Sequence, residues 1–246
     1  MRKIIYEEDN IKLDSGYLFG RGVFETILIK ENPIFLKEHI ERLNKGIKYL
    51  KLGDKIEEKF VLEKIKYYNI KNKALKIIVS EKNIIFQSRD LTYKEDDYKK
   101  GFSIKLSNIV RNSNSDLVKI KSINYLENIM EREKALEEGY NEVLFLNEKG
   151  FLAEGSISNI FIVKNKRIYT PSENCGLLRG TVRDYLVKNY DIKEKEITIK
   201  DLENCDEMFI TNSLIGVMGI NKFQDRILTE NKITIMIREE YEAKIS

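Results

Sequence analysis

Lys121-Ser122-Ile123-Asn124-Tyr125-Leu126-Glu127-Asn128 decides how the rest of the chain is read. It follows a polar, turn-forming run, Arg111-Asn112-Ser113-Asn114-Ser115-Asp116, and predicts the opening of a helix with Tyr125, Ile129 and Ala135 among its apolar positions. A lysine at the edge of a helix, just past a domain junction, stands where a cleft can form. Alone, Lys121 is one of 43 Lys plus Arg residues, and an ordinary lysine keeps its ammonium in water. Its weight comes from three downstream stretches and their order: Glu154-Gly155-Ser156-Ile157-Ser158-Asn159, then Tyr169-Thr170-Pro171, then Leu178-Arg179-Gly180-Thr181-Val182-Arg183.

Outward from this segment the chain reads as two units. Met1 to Tyr6 predicts an edge strand and Asp14-Ser15-Gly16 a turn. Gly22 to Lys30 is rich in β-branched and aromatic residues, and Glu31-Asn32-Pro33 turns it into Ile34-Phe35-Leu36, a hairpin. From Lys37 to Leu52 the residues Ile40, Leu43, Ile47 and Leu50 recur every three or four positions, which marks an amphipathic helix. Gly53 ends it, and Asp54 with Glu57 predicts a capping-box start for a second helix through Tyr68. Strands are expected at Ala74 to Ser80, Asn83 to Ser88 and Phe102 to Ile109, which makes residues 1–110 a small domain with helices on one face of a mainly antiparallel sheet. Residues 111–117 are the expected linker and 118–246 the larger domain. That domain is expected to hold a helix over 122–138, strands at 142–146, 151–153, 160–163 and 167–169, and a helix from Thr181 to Asn189. Strands near 196–199, 208–211 and 217–220 and a terminal helix from about Thr229 complete it.

Composition narrows the class. An apolar fraction of 42% without a charge-rich tail marks a folded chain, and 246 residues are enough to bury a sizeable core. A net charge of +3, with no Lys/Arg stripe interleaved with aromatics, excludes a nucleic-acid footprint. Two cysteines, Cys175 and Cys205, and a single histidine, His39, exclude a disulfide framework and a multi-histidine metal site. No window approaches a membrane span, and the N-terminus lacks the apolar stretch of a signal peptide. A cytoplasmic protein with no nucleic acid, membrane or metal partner is the expectation.

In order and spacing, the downstream stretches and His39-Ile40-Glu41-Arg42-Leu43 resemble the class IV aminotransferase family, the fold-type IV pyridoxal-phosphate enzymes. The resemblance runs from about Gly16 to about Ile220. It implies an α+β, two-domain fold like that of D-amino-acid aminotransferase, with a small N-terminal α/β domain and a larger, β-rich C-terminal domain. It also implies pyridoxal 5'-phosphate as cofactor and a homodimer as the assembly. Lys121 becomes the catalytic residue, bound to the cofactor as an imine and, once released by substrate, the carrier of the proton at the substrate α-carbon. Glu154 matches the carboxylate that faces the pyridine nitrogen and keeps it protonated. Gly155, Ser156, Ser158 and Asn159 suit a backbone that approaches a ligand closely, with Asn159 fixing the loop. The main-chain amides of Thr181 and Val182, at a helix start, and the hydroxyl of Ser213 match the phosphate site. Arg42 is expected to pair with the same phosphate in a bidentate way. Tyr125 either reaches the ring hydroxyl or is a core tyrosine, and His39 is read as structural. The chain departs from the family's Gly-Asp-Gly at Gly20-Arg21-Gly22.

Three activities of the family share these cofactor residues. The strands Lys76-Ile77-Ile78-Val79-Ser80 and Ile84-Ile85-Phe86-Gln87-Ser88-Arg89 lack the Arg-x-His carboxylate trap of D-amino-acid transaminases, and the arginine-proline strand of branched-chain enzymes is missing too. Short length, Gly16-Tyr17-Leu18-Phe19-Gly20 ahead of Val23-Phe24-Glu25-Thr26, and Thr211-Asn212-Ser213-Leu214 resemble most the lyases that convert 4-amino-4-deoxychorismate to 4-aminobenzoate and pyruvate. The alternatives are transamination of branched-chain or D-amino acids with 2-oxoglutarate, and a non-catalytic ligand-binding relative.

Overall fold

The computed structural model describes residues 1–7 and 10–245. The chain divides into two compact units, Met1–Thr92 with Ile120–Tyr125, and Tyr93–Lys119 with Leu126–Ser246.

In the first unit the elements are β1 (Lys3–Tyr6), α1 (Ser15–Phe19), β2 (Val23–Ile29), α2 (Leu36–Tyr49), α3 (Glu58–Tyr67), β3 (Lys73–Val79) and β4 (Asn83–Asp90). The strands form one sheet in the order β1-β4-β3-β2, with β1 parallel to β4 and the other pairs antiparallel. The helical spacing of α2 places Ile40, Leu43 and Ile47 in one buried cluster with Ile27, Leu75 and Ile77 of the sheet. Gly46 permits the approach, because a Cβ there would lie 2.7 Å from Val23 Cγ1. Asp14, expected in a turn, caps α1: its carboxylate accepts from the amides of Gly16 and Tyr17 and from the Ser80 hydroxyl at 2.6 Å.

The segment that carries Lys121 pairs with β2, an outer strand of this sheet. Phe24 N–H donates to the Lys121 carbonyl at 2.9 Å and Ile123 N–H to the Gly22 carbonyl at 3.0 Å, so Ser122 bridges Val23. The helix expected from residue 122 therefore begins later, as α5 (Leu126–Glu137), since residues 121–123 spend their backbone groups on β2. The expected hairpin into 34–36 is also replaced. β2 pairs over seven residues with β3, and Pro33 makes only an isolated bridge to Ile29 before α2 starts. α3 starts after Glu57, whose side chain makes no cap, so the Asp54–Glu57 capping box is not formed.

The second unit adds α4 (Glu95–Lys100), β5 (Phe102–Arg111), α5, β6 (Glu142–Asn147), β7 (Leu152–Gly155), β8 (Asn159–Lys164), β9 (Arg167–Pro171) and α6 (Thr181–Asn189). It continues with β10 (Ile192–Lys195), α7 (Ile199–Glu203), β11 (Glu207–Asn212), β12 (Gly216–Phe223), β13 (Arg226–Ile227) and α8 (Lys232–Ile245). Its sheet runs β10-β9-β8-β11-β12-β5-β6-β7, with β13 attached to β12. β5 lies between β12 and β6, parallel to both, so the strand expected to complete the first sheet belongs to this one. The strand expected near 196–199 lies earlier, as β10. Thr198 instead opens α7 with a capping box closed by Asp201. Among the described residues no helix is long and apolar enough to cross a membrane.

Candidate active site

Lys121 sits in an aromatic setting within the first unit. Its Nζ lies 4.5 Å from the centre of the Phe24 ring and 5.7 Å from that of Tyr125, and the two rings meet edge to face at 5.3 Å. Lys76, on β3, places its Nζ 4.9 Å from the same Phe24 ring. Burial, and then the charge of Arg89, lower its pKa below the usual lysine value. Sequence reading missed Lys76. The signal was a charged residue inside the run Ala74-Leu75-Lys76-Ile77-Ile78-Val79.

Behind Phe24 lies a buried charge network. Glu25 accepts from Arg42 Nε on one oxygen and from Arg42 Nη2 on the other, both at 2.7 Å, and His39 Nδ1 lies 2.7 Å from the second oxygen. Glu25 is fully buried, which raises its pKa, yet Arg42 and His39 outweigh burial and hold it at about 2. His39 is pushed below its ordinary value by burial, against the opposing pull of Glu25, with Arg42 and Lys121 lowering it further. It is therefore neutral at pH 7, and because a carboxylate only accepts, its hydrogen is on Nδ1. Arg42, expected at a phosphate, is thus oriented by a bidentate carboxylate that sequence reading did not assign to it. Arg21, the departure from the family pattern, donates from Nε and Nη2 to the Leu50 carbonyl at 3.1 and 2.7 Å, at the C-terminal end of α2. A cation suits that end of a helix.

The second unit gathers the remaining expected residues around the start of α6. Glu154, on β7, accepts from the Leu178 amide at 3.0 Å. Asn159, at the start of β8, donates to the Leu178 carbonyl at 2.8 Å and accepts from the Gly180 amide at 3.1 Å. These bonds hold the segment that leads into α6. Gly180 is required there, since a Cβ would fall 2.1 Å from Asn159 Oδ1. One residue on, Thr181 Oγ1 is 3.2 Å from Ser213 Oγ, and Asn212 shapes the turn carrying Ser213 by accepting the amides of Leu214 and Ile215. Val182 is buried in the first turn, where helix amides have no intrahelical acceptor. Ser158 is placed differently: its hydroxyl donates to buried Glu142 at 2.8 Å, and Glu142 also takes the Ser156 hydroxyl and the Ser156 and Ile157 amides. Paired hydroxyls and first-turn amides are the donor set a phosphate dianion needs. Among the described residues no group of His, Cys, Asp or Glu can hold a metal ion.

The sequence profile of the amino-transferase class IV family matches residues 22–223. The chain belongs to the class IV aminotransferases. These are pyridoxal-phosphate-dependent enzymes, and pyridoxal phosphate is the cofactor to which the chain's donor set must answer. An aminodeoxychorismate lyase of Bacillus subtilis is 29% identical over 236 residues, 86% of this chain and 80% of the relative. A putative branched-chain-amino-acid aminotransferase of Methanocaldococcus jannaschii is 29% identical over 248 residues, 89% of this chain and 84% of the relative. In fold, the chain matches the crystal structure of a putative 4-amino-4-deoxychorismate lyase from Legionella pneumophila with a TM-score of 0.89 at 24% identity, covering 99% of both chains. The two-domain, fold-type IV architecture is thereby met.

Proposed function

We propose that this class IV enzyme is a lyase that converts 4-amino-4-deoxychorismate to 4-aminobenzoate and pyruvate. The observation that carries the reading is the pair of ammonium groups on Phe24. Lys121 is the reactive amine, and partly buried Lys76, disfavoured as a bare cation, is suited to a carboxylate of the substrate. The strands near them lack the Arg-x-His and arginine-proline features of the transaminases, and similarity to the Bacillus subtilis lyase extends over most of the chain.

In this reading Lys121 Nζ would hold the cofactor covalently, and the α6 start with Thr181, Val182 and Ser213 would hold its phosphate, with Arg42 as the cation. Glu154 would face the pyridine nitrogen, Tyr125 would flank the ring, and Ser158 and Asn159 would shape the loops beneath it. Bound cofactor supplies an electron sink for the charge left when a proton is removed from the substrate carbon bearing the amine. Lys121 Nζ, freed once the substrate amine has displaced it, would remove that proton. The carbon–oxygen bond to the enolpyruvyl group then breaks, the remaining ring becomes aromatic, and the enol takes up a proton to give pyruvate. No water, keto acid or oxidant is consumed. Lys76 would hold a carboxylate so that the carbon lies against Lys121.

A homodimer belongs to the same reading. Leu126, Ile129 and Met130 form an exposed apolar stripe along α5, at helical spacing, that a second copy would cover. Light scattering of the purified protein checks it.

The decisive assay is pyruvate release from 4-amino-4-deoxychorismate by the pyridoxal-phosphate-loaded protein, without added keto acid and with Lys121→Ala as control. Pyruvate and 4-aminobenzoate, absent in the control, are the expected result. No pyruvate from protein that carries the cofactor's absorbance would overturn the lyase reading, and the next substrates are then D- and branched-chain amino acids with 2-oxoglutarate.

A further inference from the structure

Thr211 carries a hydroxyl that none of the described residues accepts. The residue is 1% exposed, and among the described residues its Oγ1 has no hydrogen-bond partner. Such a group is costly to bury, and in native proteins it calls for a reason. Its position supplies one. Thr211 pairs directly with Asn159 across the β11–β8 ladder, and directly opposed residues project from the same face of a sheet. The Asn159 side chain on that face grips Leu178 and Gly180, at the entrance to α6. Two residues along, in the turn that follows β11, Ser213 meets Thr181 of the first helical turn. Thr211 therefore shares the sheet face of Asn159, whose side chain holds the α6 start, and precedes by two residues the serine that meets it.

We infer that Thr211 is a third hydroxyl of the phosphate cradle, with Oγ1–H reserved for an oxygen of the bound cofactor's phosphate. This rests on the reading of the α6 start as the phosphate site. The bound phosphate would then take a donor that no described protein group accepts, and that bond would be part of the cofactor's affinity.

Thr211→Val keeps the shape and removes only the hydroxyl. Pyridoxal phosphate is titrated into apo protein by absorbance, and the apo melting temperature is recorded alongside. The expected result is a Kd raised about tenfold with an apo melting temperature equal to or above wild type, while Thr211→Ser stays near the wild-type Kd. If the valine variant does not fold, Thr211→Cys, a weak donor, gives the same readout. An unchanged Kd in the valine or cysteine variant overturns the inference. Ser213→Ala and Thr181→Val separate the two readings. If they weaken binding and Thr211→Val does not, only the role of Thr211 falls. If none of the three weakens it, the phosphate site itself is elsewhere.

Discussion

At Glu25 two effects of opposite sign compete. Burial favours the neutral acid, and the Arg42 guanidinium with the His39 N–H favours the carboxylate; the carboxylate wins, at a pKa of about 2 against an ordinary 4.5. Because the folded value is the lower one, the stability it contributes is fully present above pH 4.5 and is lost as pH falls towards about 2. His39 acts in the same direction higher up. Its folded pKa lies below 6.5, so the unfolded chain takes the proton first and stability begins to fall as pH drops through that value. Glu25→Gln leaves Arg42 facing an amide, which costs on the order of 3–5 kcal/mol for a broken buried pair. In urea unfolding at stepped pH, wild type should lose stability steeply between pH 4.5 and 2, and Glu25→Gln should start lower and show a flatter profile over that window. Parallel profiles would show that Glu25 is not the group that titrates.

At the scale of elements, the start of α6, the proposed phosphate site, shows most directly how space dictates sequence. The φ of −75° at Gly180 is open to any residue, so glycine is required there for space alone, beside Asn159 Oδ1. Gly180→Ala should push Asn159 off the loop, lower the affinity for pyridoxal phosphate by about tenfold or more, and reduce stability by about 1–3 kcal/mol for the bonds lost. A variant with wild-type affinity would mean that Asn159 does not set the α6 start. The helix itself, Thr181–Asn189, was legible because a glycine, a cap and an apolar period are local signals. The pairing of Ser122 with Val23 was not, since it joins residues far apart in sequence and depends on the free edge of β2 rather than on any local preference. Glu142 escaped for the same reason. Its role as acceptor for Ser156, Ile157 and Ser158 appears only once β6 and β7 are paired, and it holds the side chains of a stretch read only for its close backbone approach. The residues thus divide: those placed by a helix start or a turn stand where local signals put them, and those whose partner is supplied by a distant strand, such as Arg42 on Glu25, could not be placed in full.

For the whole molecule, what counts is that each unit buries a core of its own. The cluster of the first unit runs from Val23 through Leu43 and Ile77 to Phe86, and that of the second from Phe102 through Leu144 to Met218 and Leu228. Ile120, next to Lys121, packs against the first cluster, so Lys121 is held by a hydrophobic anchor as well as by its backbone bonds to β2. Leu43 is fully buried at the centre of that cluster, and Leu43→Ala removes buried methyl groups and leaves a void, a loss of about 2–5 kcal/mol. Local stability then sets which amides open. Hydrogen exchange of the variant should show faster exchange at Phe24 and Ile123, the amides that join Lys121 to β2, together with β3 and β4. Met208 and Ile210 on β11, in the second core, should keep their wild-type protection. If protection falls equally in both units, the cores unfold as one, and the segment bearing Lys121 draws its rigidity from the whole chain rather than from the small sheet it pairs with.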